Sequence, residues 1–184
     1  MHELQLKPDI LRIFRKHSNM AIEDAGVDSI HKAMAHTATL VIDAIPDTCI
    51  ITSSQIVETL PEWTTKKMAR EITRIVQKSI ADLERGISNG GLMISTNKLQ
   101  NNMRSHYIAL SKTAAFVLAC ILEYVATHIL GSSAALAQGS RVKAEHVAHF
   151  QRICRGRRRR TPNFPSKMHE HKRVQTCNRG YGSE

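Results

Sequence analysis

Residues 113–130 read TAAFVLACILEYVATHIL, and what this run forms decides the fold. Its apolar length approaches that of a bilayer-spanning helix, which needs about 20 residues. Two side chains argue against lipid. Glu123 and His128 interrupt the run, and an acid at mid-bilayer costs on the order of 3 kcal/mol. Gly131-Ser132-Ser133 then continue it poorly. The expectation is a long buried helix and no membrane association. Ser111 can cap its start, it should reach about Gln138, and Gly139-Ser140 should close it. A helix that is apolar on nearly every side has to be covered on nearly every side, so its neighbours in sequence must supply covers.

Immediately upstream, Ser95 opens a short helix with Leu99 and Met103 facing inward. Immediately downstream, Arg141-Val142 reads as a brief extended pair and Lys143 to Arg152 as a last short helix. The same short–long–short order occurs earlier in the chain. Pro8 and Asp9 suit a helix start, and Ile10, Leu11, Ile13 and Phe14 give it an apolar face ending near His17. A second helix is expected from about Asp24 to Ile45, with Val27, Ile30, Met34, Thr37, Ala38, Val41, Ala44 and Ile45 as its stripe. Pro46-Asp47 breaks it. After Ile50-Ile51, Thr52 with Gln55 three places on forms a capping box for a short helix ending near Leu60. A further amphipathic helix, about Thr65 to Arg85, should turn Met68, Ile72, Ile75, Val76, Ile80 and Leu83 inward, and Gly86 with Ser88-Asn89-Gly90-Gly91 makes a linker. One long helix and two short ones leave an apolar stripe exposed. Two such units crossing head to tail would close one core.

Composition agrees with a helical protein. Hydrophobic residues make up 42% of the 184 residues and aromatics only 4%, with 5 prolines and 9 glycines. The net charge of +10 is uneven. Residues 1–150 hold 16 basic against 14 acidic residues, a net of +2, whereas residues 151–184 hold 10 against 2, a net of +8. A nearly neutral body with a basic arm points to a polyanionic partner. Cys49, Cys120, Cys154 and Cys177 form no CxxC pair, Cys120 reads as a core residue, and no apolar signal region opens the chain, which together suggest a reducing compartment.

The run around Leu122-Glu123-Tyr124 resembles the middle of the central helix of histone H2A. Gly91-Leu92, Lys98, Arg104 and Tyr107 upstream, and Arg141-Val142-Lys143-Ala144-Glu145-His146-Val147 downstream, fall near the matching H2A positions. The first half resembles histone H2B, most closely at Ile51-Thr52-Ser53-Ser54-Gln55-Ile56, Leu60-Pro61-Glu62 and the basic helix from Lys66 to Lys78. The likeness spans about residues 7–152. It implies an all-α chain of two tandem histone folds paired within one molecule as a handshake pseudo-dimer. The H2B-like fold with its C-terminal helix would occupy residues 1–85, a linker 86–94, the H2A-like fold 95–153 and a basic disordered tail 154–184. Fused doublets in this order characterise giant DNA viruses of the marseillevirus type, and the departures below fit a shortened variant.

The resemblance implies a viral core histone doublet, not an enzyme, that packages double-stranded DNA in a nucleosome-like particle. Its partners would be a companion doublet of the other two core histone types and a second copy of itself. It would reside in viral chromatin, in the host nucleus or viral factory, with the virion left open, and with no cofactor. The DNA face carried over from the family comprises Lys98, Arg104, Lys112, Arg141 and Lys143 on the H2A-like side and Arg12, Arg15, Lys16 and Thr52 on the H2B-like side. The run Arg157-Arg158-Arg159-Arg160 serves equally as a DNA-binding arm or a nuclear localisation signal. Several features depart from the family. The first helix starts within about ten residues of Met1, leaving no long basic N-terminal tail, and Pro46-Asp47-Thr48 stands where basic residues are usual. Of the surface acids that chromatin-binding proteins use, Glu123 remains, while His128 and Gly131 occupy later acidic positions. Glu71 and Glu123 are both expected at the surface. Cys154, His169, His171 and Cys177 match no standard zinc spacing, so no metal is expected, and no nucleophile motif, phosphate loop or carboxylate pair suggests catalysis. The alternatives are a histone-fold transcription or replication subunit, and a variant doublet that modulates particles made by a fuller one.

Overall fold

The computed structural model describes residues 5–18, 20–46, 48–137 and 141–148, and the chain is all-α. Helix α1 is Lys7–His17, α2 Asp24–Asp43, α3 Ser53–Glu58, α4 Leu60–Trp63, α5 Lys66–Glu84, α6 Thr96–Ser105 and α7 Lys112–Ala137. A 3-10 turn, Ser88–Gly91, lies between α5 and α6, and residues 144–148 are helical.

Local chemistry sets most of these boundaries. Pro8 sits in the first turn of α1 with Asp9, and Arg15, Lys16 and His17 occupy its last turn, the charge order the helix dipole favours. Thr52 and Gln55 form the full capping box at α3. Thr65 accepts the Met68 N–H at α5, Ser95 the Lys98 N–H at α6, and Ser111 the Ala114 N–H at 3.1 Å at α7. Helix α2 stops at Asp43, two residues before the expected Ile45, and Pro46 follows.

Helix α7 is the centre of the molecule. It packs against α1, α2, α3, α5 and α6, and every residue from Ala114 to Glu123 is buried. The mean hydropathy of its most apolar 18-residue stretch, 1.8, would suit a membrane span, but 72% of that stretch is buried within this chain's own fold. Helix α2 presents Val27, Ile30, Met34, Thr37, Ala38 and Val41 to the same core, as the periodicity predicts, and Ile42, outside the expected stripe, joins them, with Ala44 only partly buried. The expected ends of α7 at Gln138 and of the last helix at Arg152, and the Gly139-Ser140 stop, lie outside the described residues.

Helix α5 differs from its predicted stripe. Ile72 and Val76 are buried, but Ile80 and Leu83 are 41% and 48% exposed. Ser79, not Ile80, takes the next buried position, because the 3-10 turn folds back onto it. That approach requires glycine. Gly90 has φ +59°, and a Cβ there would stand 2.5 Å from the Ser79 carbonyl oxygen and 2.8 Å from the Phe116 ring. Gly86 has φ +80° but open space around it. Gly86→Ala should therefore cost only the left-handed penalty, about 1–2 kcal/mol. Gly90→Ala adds overpacking, and should cost about 3 kcal/mol or more in urea unfolding.

Candidate nucleic-acid interface

Two isolated parallel bridges tie distant loops together. At the first, the Ile51 N–H donates to the Ala109 carbonyl at 2.8 Å and the Ser111 N–H to the Ile51 carbonyl at 3.0 Å. Thr52, the cap of α3, and Ser111, the cap of α7, thus come side by side, with Lys112 and Thr113 exposed at the open N-terminus of α7. A helix N-terminus carries free amides and partial positive charge, which favour an anion. Thr52 itself is largely engaged: its N–H donates to Gln55 Oε1 at 2.9 Å and its hydroxyl lies 3.0 Å from Ser54 Oγ.

At the second bridge, the Glu23 N–H donates to the Val142 carbonyl at 3.0 Å and the Val142 N–H to the Ala21 carbonyl at 2.9 Å. Arg141 and Lys143, both exposed, therefore flank the N-terminus of α2. Glu23 and Asp24 open that helix and temper the positive charge there. The Lys143 N–H is taken by His146 Nδ1 at 3.1 Å.

Helices α1 and α6 make a third cluster. Asp9, only 2% exposed, pairs with Arg12. Burial raises its carboxyl above the ordinary aspartate value, against the opposing charges of Arg12 and Lys98. Lys98 also borders an open polar cleft of about 580 Å³ with Gln5, Pro8, Asn102, Ser105 and His106. Arg15 is exposed, and Lys16 Nζ donates to the Gly91 carbonyl at 3.3 Å. Arg104 is exposed in the last turn of α6, where it complements the dipole. The structure thus groups Thr52 with Lys112, Arg141 with Lys143, and Arg12 with Lys98. Arg157, Arg158, Arg159 and Arg160 lie outside the described residues, as do Cys154, His169, His171 and Cys177. Among the described residues no three His, Cys, Asp or Glu side chains gather as metal ligands.

One acid is not where the sequence suggests. Glu123, expected as a surface remnant, is 8% exposed, and its Oε2 accepts the Met93 N–H at 2.7 Å and the Ile94 N–H at 3.3 Å. It is buried because the strand-like exit from the 3-10 turn leaves those two amides without backbone partners, and α7 supplies the acceptor. Glu71 lies at the surface, as expected, and there accepts the Tyr124 hydroxyl at 2.6 Å. Burial and this bond push the tyrosine hydroxyl well above its ordinary value. The Cys120 thiol, a core residue as expected, is pushed up to about 12, chiefly by burial, which leaves it an unreactive thiol.

Sequence reasoning missed Asp9, Glu23 and Asp24 as neutralising partners and Ser111 and Thr113 as part of the first cluster. The serine was legible as a cap, but nothing local shows which loop it faces. No protein-family model matches this chain, and no curated protein is significantly similar to it.

Proposed function

We propose that the chain is a doublet of two histone folds, H2B-like then H2A-like, joined in a handshake, and that it packages duplex DNA by contacts to the phosphate backbone. The observation that carries the reading is the pair of parallel bridges. The loop before α2 meets the segment after α7, and the loop after α2 meets the segment before α7, as two short–long–short units crossing head to tail require. The first bridge lies beside the exposed Lys112 at the N-terminus of α7, and the second sets Arg141 and Lys143 beside that of α2. The two lie at opposite ends of the 26-residue α7, about 40 Å long, comparable with one turn of duplex, about 34–36 Å. Neither cluster offers the convergent set of side chains that base readout needs, so binding is sequence-independent. The companion doublet, the second copy and the viral setting follow from the resemblance and belong to this proposal.

The near-neutral body favours a second reading within it. Residues 1–150 carry a net of only +2, Asp9 holds Arg12, and Glu23 and Asp24 sit beside Arg141. A variant that loosens particles made by a more basic doublet would have this balance.

The test is the salt dependence of binding to unrelated duplexes. Affinity should fall steeply with salt and hardly differ between sequences. Arg141→Ala with Lys143→Ala should flatten the log–log slope by about 2, since each phosphate contact contributes about 0.9. Tight binding to one defined site, with an unchanged slope in the double variant, would favour the transcription or replication subunit.

A further inference from the structure

The polar face of α5 carries a basic stripe, with Glu71, Asp82 and Glu84 along its margins. Lys67, Arg70, Arg74, Lys78 and Arg85 fall within a sector of about 80° at 3.6 residues per turn, opposite the buried Ile72, Val76 and Ser79, and all five are exposed. Lys67 stands 4.0 Å from Glu71 and Arg85 3.5 Å from Asp82. Arg70, Arg74 and Lys78 make no ion pair among the described residues and follow one another at a helical turn, about 6 Å along the axis.

Beside this stripe an open groove of about 400 Å³ runs between α5 and α7, lined by Ile75, Tyr124, Thr127, His128, Gly131 and Ser132. Its lining is mainly apolar. The Tyr124 hydroxyl is committed to Glu71, and its ring is stacked on His128 with centroids 5.8 Å apart. Gly131 leaves the helix backbone bare, with nothing within 4 Å of where a Cβ would stand.

We propose that this surface receives an acidic protein segment, with one apolar side chain seated in the groove and carboxylates ranged along the α5 stripe. In an extended segment, side chains on one side recur about every 6.6–6.8 Å, close to the step from Arg70 to Arg74 to Lys78. Guanidinium groups hold carboxylates through paired hydrogen bonds. Nucleic acid is the poorer occupant. A duplex has nothing to seat in an apolar groove, and a single strand would need a free aromatic face, whereas Tyr124 is already stacked. The inference does not rest on the DNA reading, since none of the residues at the two bridges takes part.

The experiment is fluorescence anisotropy with the full chain at about 0.15 M salt. The probe is a labelled peptide of about 12 residues, rich in glutamate around one phenylalanine, with glycine-for-phenylalanine and lysine-for-glutamate controls and a short duplex as competitor. The acidic phenylalanine peptide should bind best. Arg74→Glu with Lys78→Glu should weaken it about tenfold or more, and Gly131→Gln, which fills the groove at an open helical position, about fivefold. Both variants should unfold at the wild-type temperature or above and bind duplex as the wild type does. Three results would overturn the proposal: equal binding of the lysine peptide, equal binding of the glycine peptide with no effect of Gly131→Gln, or loss of duplex binding in the charge-reversal variant.

Discussion

Split at the linker, the chain should lose its fold on both sides of the cut. Residues 1–85 and 86–184, produced separately, are each expected to show no cooperative thermal transition. Mixed in equal amounts, they should regain helicity and a single transition. The reason is the position of α7. Among the described helices α1 to α7, four that pack on it, α1, α2, α3 and α5, come from the first half, and α6 from its own. Phe116, Leu118, Ile121, Leu122, Ile129 and Leu130 are at most 8% exposed in the intact chain. At about 1.5–3 kcal/mol for each fully buried large apolar side chain, re-exposing even part of this set costs on the order of 10 kcal/mol, as much as the whole stability of an ordinary domain. The first half suffers equally, because Val27, Ile30, Met34 and Val41 on α2 belong to the same core cluster as α7. Circular dichroism melts of the two pieces, alone and mixed, check this. A cooperative transition in either piece alone would show that the halves are independent domains.

Glu123→Ala should be among the most damaging single substitutions, at about 3 kcal/mol in urea unfolding. Alanine leaves the Met93 and Ile94 amides without an acceptor, and each such buried donor costs about 1–3 kcal/mol. The carboxylate's own burial is costly, which offsets part of the loss and keeps the figure near the lower end of the sum. Glu123→Gln retains an acceptor oxygen at the same reach and should lose about 1 kcal/mol. A surface acid would behave differently, with both substitutions within about 0.5 kcal/mol of the original. The ratio between the alanine and glutamine effects therefore reports whether Glu123 closes the 92–94 segment onto α7.

What could be read from the sequence was local. The caps at Thr52, Ser95 and Ser111 announce themselves because the donor and acceptor lie three residues apart. The core position of α7 follows from an apolar run that few polar residues interrupt. Partners distant in sequence were not legible. Glu123 looked like a surface acid because its amide partners lie about thirty residues upstream. Ile80 and Leu83 looked buried because nothing in their spacing shows that Gly90 folds onto Ser79 and shifts the covered face of α5. The candidate interface divides along the same line. Its cations are visible in the sequence, but the acids near them are brought in by the fold: the Ile22–Val142 bridge sets the segment that holds Glu23 and Asp24 beside the one that holds Arg141 and Lys143. Burial likewise makes the Asp9–Arg12 pair more than a surface helix contact.

The proposed doublet requires two crossed halves to present their cationic ends to one duplex without reading its sequence. Nuclease digestion of long DNA assembled with the intact chain and the companion doublet proposed above measures this. Fragments of one repeating length, protected equally on unrelated sequences, are expected. Digestion no slower than that of free DNA, or protection confined to one short defined site, would contradict the proposal.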